Sequence, residues 1–231
     1  CDEIYSEIVY DPSERVKLST VIGNACGISL NGISKQIPWP GSRCGWIEVY
    51  NQKGDKMFQK YIDTILKAKR LEVCSTTLPQ MAVPLILGDP RYKEHTQQRI
   101  DKFKHRADEI EQIFAGIDGV HLIKPHGAFY VSVIFDEGVL NNKQTLPIEN
   151  EQIKTFIENA LSKKKFAADK RFVYYLLAAT GIIAVPMTGF YSKYNGFRLT
   201  LLEEDDAKRV WIFKTIRENI EKYIKSKKNA V

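Results

Sequence analysis

Cysteine, histidine and long apolar runs are all scarce in this sequence. Its four cysteines, Cys1, Cys26, Cys44 and Cys74, show no C-x-x-C spacing and are too scattered to frame 231 residues with disulfides. Reduced thiols in a cytoplasmic protein are therefore expected. The four histidines, His95, His105, His121 and His126, have no ligand spacing, so no metal is assigned. No run approaches the roughly 18 apolar residues of a membrane-spanning helix. The chain does not open with a basic stretch followed by an apolar one, so no membrane or secretory role is expected. No fixed-period repeat occurs, and low complexity is confined to the tail 225–230. The net charge of +6 is concentrated in a knot, Lys163, Lys164 and Lys165, and in Lys222, Lys225, Lys227 and Lys228 near the end. Both read as solvated surface rather than a phosphate track, and no nucleic-acid partner is expected.

What is present is a foldable chain. With 44% hydrophobic and 11% aromatic residues, a chain of this length buries roughly 70% of its unfolded surface. At roughly 150 residues per domain it holds one large domain or two modest ones. Short β-rich runs separated by Gly, Ser, Asn and Pro predict strands at 3–10, 21–30 and 44–50. Apolar spacing of i, i+3, i+4 at Phe58, Tyr61, Ile62, Ile65 and Leu66 predicts a helix over 57–70, with another over 76–87. The clearest helix covers 90–115, with Ile100, Phe103, Ala107, Ile110 and Phe114 in one stripe, Asp89 as N-cap and Gly116 at the left-handed C-terminal position. Beyond it, strands at 120–123, 129–135, 182–186 and 197–202 alternate with helices at 149–161, 170–180 and 205–224, which means a fold class of α/β or α+β.

Lys35 lies in Ser29-Leu30-Asn31-Gly32-Ile33-Ser34-Lys35, beyond an apolar strand and among small residues that let a planar ligand approach the backbone. An amine in a partly desolvated, electropositive place becomes a nucleophile for carbonyls. Eight residues on, Arg43 stands in Pro40-Gly41-Ser42-Arg43-Cys44-Gly45-Trp46, a guanidinium fork flanked by glycines and suited to phosphate.

These segments resemble the fold-type I pyridoxal phosphate-dependent aminotransferases of the aspartate and tyrosine aminotransferase group. Ser34-Lys35 followed by Gly41-Ser42-Arg43-Cys44-Gly45-Trp46 matches that family's Ser-Lys and Gly-x-Arg-x-Gly-aromatic signature. Asp2-Glu3-Ile4-Tyr5 is similar to its Asp-x-x-Tyr strand end, and Asn195-Gly196-Phe197-Arg198-Leu199-Thr200 to the segment supplying a substrate-carboxylate arginine. Pro125-His126-Gly127-Ala128-Phe129-Tyr130 resembles the segment that enters the small domain. One departure is Gly32, where the family often has a phosphate-binding serine. The chain opens on Cys1 rather than Met, and the family's upstream phosphate turn, stacking aromatic and ring asparagine have no match, so the chain is expected to be a C-terminal portion.

The resemblance implies the C-terminal part of a large cofactor domain, with a mixed sheet and helices, over 1–90. A connecting long helix follows over 91–117 and a small α+β domain over 118–231. It implies pyridoxal 5'-phosphate, with Asp2 at the ring nitrogen, Tyr5 at the ring oxygen, Ser34 and Arg43 at the phosphate, and Lys35 joining the cofactor and moving protons. Arg198 would hold the substrate carboxylate. Ser34 also reads as a simple turn residue, and Trp39, Trp46 and Tyr130 read as packing. The implied reaction exchanges an amino group between an L-amino acid and a 2-oxo acid in a homodimer, with this chain alone inactive. Other readings on the same scaffold are a lyase or synthase, or a non-enzymatic effector domain of a transcription regulator.

Overall fold

The computed structural model describes residues 1–163 and 166–226. The basic positions Lys164, Lys165, Lys227 and Lys228 lie outside them. The chain divides into two compact units, residues 1–102 with 126–128, and 103–125 with 129–231.

In the first unit, β1 (Gly27–Gly32) and β2 (Gly45–Tyr50) form a two-stranded antiparallel hairpin in which Gly32 faces Gly45. The pairing is close because neither residue has a side chain: a Cβ on Gly45 would lie 2.9 Å from the Asn31 carbonyl oxygen. The stretch 3–10 is not a strand. Asp2 makes a parallel bridge to Leu30, residues 4–7 turn, and Val9 bridges Gly127. Strand 21–30 is also shortened, because Leu18–Val21 forms a short helix, α1, ahead of β1. Glu3 fastens the N-terminal segment, accepting from the Leu18 amide at 2.7 Å and from the Ser29 hydroxyl.

Three further helices follow. α2 (Lys56–Lys69) is capped by Asp55, whose carboxylate accepts from the Phe58 amide at 2.7 Å. α3 (Thr77–Gly88) carries Pro84 in its interior. α4 (Tyr92–Phe114) begins two residues later than its sequence pattern, after a turn in which Asp89 accepts from the Arg91 amide at 2.8 Å. The paired Arg91 guanidinium holds the Asp89 carboxyl down at about 2. Two residues past the end of α4, Gly116 takes the left-handed conformation, φ 76°, that its sequence position predicts.

The second unit is built on an antiparallel sheet of order β3-β4-β6-β5, made of β3 (Val120–Ile123), β4 (Tyr130–Phe135), β5 (Val185–Pro186) and β6 (Gly196–Thr200). Its helices are α5 (Glu151–Ser162), α6 (Ala168–Thr180) and α7 (Asp206–Lys225). β4 alternates strictly, with Val131, Val133 and Phe135 buried and Tyr130, Ser132 and Ile134 only partly so. The buried face meets an aromatic core. Phe172 of α6 stands edge-on to Phe135 and to Tyr223 of α7, with Phe197 of β6 alongside. Burial raises the Tyr223 hydroxyl well above the ordinary tyrosine range. No helix among the described residues is long and apolar enough to cross a membrane.

Candidate active site

Lys35 and Arg43 sit on one loop. Residues 33–44 join β1 to β2, so the hairpin ladder brings both ends of the loop together, and the Ile33 amide donates to the Cys44 carbonyl at 3.3 Å. Ile33, Gln36 and Ile37 are buried and anchor the first half, leaving Ser34 and Lys35 half-buried at its surface. Ser42 is buried and donates its hydroxyl to the Trp39 carbonyl at 2.7 Å, closing a 3-10 turn over Pro40–Ser42.

Arg43 follows that turn in a left-handed conformation, φ 53° and ψ 42°. Its side chain is exposed, and Nη1 donates to the Pro40 carbonyl at 2.8 Å. No carboxylate pairs with it among the described residues. Beside it opens a cavity of about 300 Å³ lined by Cys44, Trp46, Lys69, Glu72 and Thr76. Lys35, Ser34, Asp2 and Tyr5 do not line that cavity.

Asp2 and Tyr5 reach the same end of the hairpin by another route. The Leu30 amide donates to the Cys1 carbonyl at 2.8 Å and the Glu3 amide to the Leu30 carbonyl at 2.9 Å, so the N-terminal segment runs parallel to β1. Parallel segments present their carboxyl ends on one edge, where ligands bind in open α/β sheets. Tyr5 then lies in the turn that leaves this edge, and Lys35 in the loop that leaves β1. Asp2 is exposed, and its Oδ1 accepts from the Ile4 amide at 3.0 Å. The neighbouring Glu3 carboxyl is pushed up by burial. The Ser29 and Leu18 bonds, with Lys17 and the chain amino group nearby, outweigh that push and hold it below the ordinary carboxylate value.

Sequence reasoning misses Arg99. From α4 its guanidinium donates to the Lys35 carbonyl at 3.1 Å and to the Gln36 carbonyl, fixing the backbone that carries the lysine. Sequence spacing gives no signal for it, because the two residues are 64 positions apart.

Arg198 belongs to the second unit. It faces Ser132 across the β4–β6 ladder, on the sheet face opposite Phe197 and Leu199. Its guanidinium lies 4.3 Å from the ring centroid of Tyr130 and 4.3 Å from that of Phe190. Tyr130, read from the sequence as packing, is one wall of this clamp. Tyr130 and Arg198 are diagonal neighbours on one face, which is why the strand register alone brings them together. Each cation–π contact contributes about 0.5–2 kcal/mol. A guanidinium held over two rings can still offer parallel N–H donors to a planar carboxylate.

The family described as Aminotransferase class I and II matches residues 1–211. A protein described as an uncharacterized aminotransferase of Methanocaldococcus jannaschii is 50% identical over 226 residues, 98% of this chain and 52% of the relative. A tyrosine aminotransferase of Caenorhabditis elegans is 31% identical over 134 residues, 57% of this chain and 28% of the relative. Among solved structures, an alanine aminotransferase from Pyrococcus furiosus superposes with TM-score 0.70 at 22% identity, covering 95% of this chain and 48% of the other. At that identity the likeness shows the fold. The chain spans about half the length of the first of these relatives and of that structure.

Proposed function

The chain belongs to the aminotransferase class I and II family, and from that premise we propose that it forms part of a pyridoxal phosphate-dependent enzyme moving an amino group between an L-amino acid and a 2-oxo acid. The observation that carries this reading is the convergence of Lys35, Asp2, Tyr5 and Arg43 at one end of the β1–β2 hairpin.

The donor set fits the cofactor. An exposed carboxylate at Asp2 complements a protonated ring nitrogen, and the guanidinium of Arg43, which no carboxylate pairs among the described residues, complements a phosphate. Tyr5 and Ser34 add hydroxyls for the ring oxygen and the phosphate. When bound, pyridoxal phosphate supplies the electron sink that lets the amino-acid Cα–H bond ionise. Lys35 carries the proton at Cα as general acid and base, its backbone kept in place by Arg99. Arg198 binds the substrate α-carboxylate, oriented by Tyr130 and Phe190. Division of the chain into two compact units within α4 supports a cofactor-binding part over 1–90 and a small domain over 118–231. The intact enzyme is proposed to be a cytoplasmic homodimer.

The test uses the intact protein containing this chain. Borohydride reduction in the presence of cofactor, followed by peptide mapping, is expected to label Lys35; a label on another lysine overturns the assignment. A panel of amino acids in the half-reaction then identifies the substrate, and turnover yielding only eliminated products would replace the transaminase reading with a lyase.

A further inference from the structure

We infer that Asp169 is the positioning residue of the Arg198 clamp, holding both the ring and the strand that form it; this rests on the reading of Arg198 as the carboxylate-binding group. Asp169 stands in the first turn of α6 and is 0% exposed. A buried carboxylate without partners is heavily disfavoured, and this one is met by donors on both oxygens. Oδ1 accepts from the Lys170 amide at 2.6 Å and from the Thr188 hydroxyl at 2.6 Å. Oδ2 accepts from the Thr188 amide at 2.9 Å and from the Gly196 amide at 3.4 Å. No lysine or arginine pairs with it among the described residues, so its charge is spent on backbone and hydroxyl groups.

Those donors bracket one loop. Thr188 lies in the 3-10 turn Met187–Phe190, and Gly196 is the first residue of β6. Phe190 is two residues beyond Thr188, and Arg198 two beyond Gly196. One carboxylate therefore fastens both members of the Phe190–Arg198 stack. Phe190 needs such a tether, since the residue is 47% exposed and gains little from burial. The attachment at Gly196 admits no side chain, because a Cβ there would fall 2.3 Å from the Val133 carbonyl oxygen. A guanidinium already fixed between two rings loses less freedom on meeting a carboxylate.

The experiment measures kcat and KM for the preferred amino acid, and the Kd of propionate as a non-reacting carboxylate, in the intact pyridoxal phosphate-loaded enzyme. Asp169→Asn keeps the size but turns an acceptor into a donor facing N–H groups. It is expected to raise KM and the propionate Kd about tenfold, the equivalent of one lost charge-assisted bond, with kcat little changed. Phe190→Leu, at an exposed position that does not threaten folding, is expected to move both values in the same direction and decides the matter if Asp169→Asn does not fold. Leu176→Ala, which empties a core position on the same helix, is expected to lower Tm and leave both values unchanged. If the Asp169 and Phe190 variants behave like Leu176→Ala while Arg198→Gln weakens propionate, the inference is overturned and the Arg198 reading stands. If Arg198→Gln leaves propionate binding intact, the Arg198 reading itself falls.

Discussion

The two units handle apolar surface in opposite ways. In the second, Phe172, Leu176, Phe197, Leu201, Ile216 and Ile220 are all but sealed from solvent around one sheet face. In the first, α3 holds Leu78, Met81 and Leu85 at 74%, 68% and 76% exposure, and α2 leaves Met57 and Tyr61 open. Only isolated positions such as Ile8, Ile33 and Ile62 are deeply buried there. The strand carrying Arg198 is held in place by a packed core. Around Lys35 the buried Ile33 and Ile37 are joined by polar ties between distant segments, Arg99 to the loop and Glu3 to β1 and α1. Two residues proposed to serve one reaction thus both rest on polar ties, from Arg99 and from Asp169, and differ in how much sealed core stands behind them.

That contrast can be broken experimentally. Phe172→Ala should cost about 3–5 kcal/mol in urea unfolding, as large-to-small changes in tight cores do; a cost under about 1 kcal/mol would mean the second unit is not the rigid one. Arg99→Ala removes hydrogen bonds from a charged donor, each contributing about 1.5–3 kcal/mol. Hydrogen exchange of amides in 33–44 should accelerate by about ten- to a hundredfold while the second unit's amides keep their protection. Unchanged exchange in that loop would remove the polar tie from the account. Glu3→Gln probes pH. The folded Glu3 carboxyl lies below its ordinary 4.5, so its contribution is present above that value and fades as pH falls through the lower folded value. The wild-type advantage over Glu3→Gln in urea midpoint should therefore be seen at pH 7 and shrink below pH 4.5. The smallest effect is expected for Leu85→Gln, within about 0.5 kcal/mol by the same assay. A larger loss would show that α3 is buried in solution.

Periodicity made the helices legible. The stripe Ile100, Phe103, Ala107, Ile110 and Phe114 is buried in α4 as its spacing predicts, and the sheet of the second unit follows the alternating runs closely. The stretch 3–10 departs from its pattern because β-rich composition expresses a preference for a pleated, half-buried surface, whereas here only Val9 within it, and Asp2 just before it, find bridging partners. At the site, Lys35 and Arg43 were visible because one short loop carries both. Arg99, Phe190 and Asp169 were not, since each acts through a partner brought near by folding, and one-dimensional spacing holds no trace of that. Tyr130 is the intermediate case: its segment stands out in the sequence, but its contact with Arg198 follows only from the strand register.

The left-handed backbone at Arg43 has a genetic consequence. Arginine in that conformation bears a strain of about 1 kcal/mol that glycine does not, roughly matching what glycine concedes to a freer unfolded chain. Every arginine codon is also a single base change from a glycine codon. Mutation therefore offers Arg43→Gly readily and stability raises little objection to it. Selection acting on folding alone lets that change through, while selection acting on the guanidinium stops it, so drift at this codon separates the two pressures.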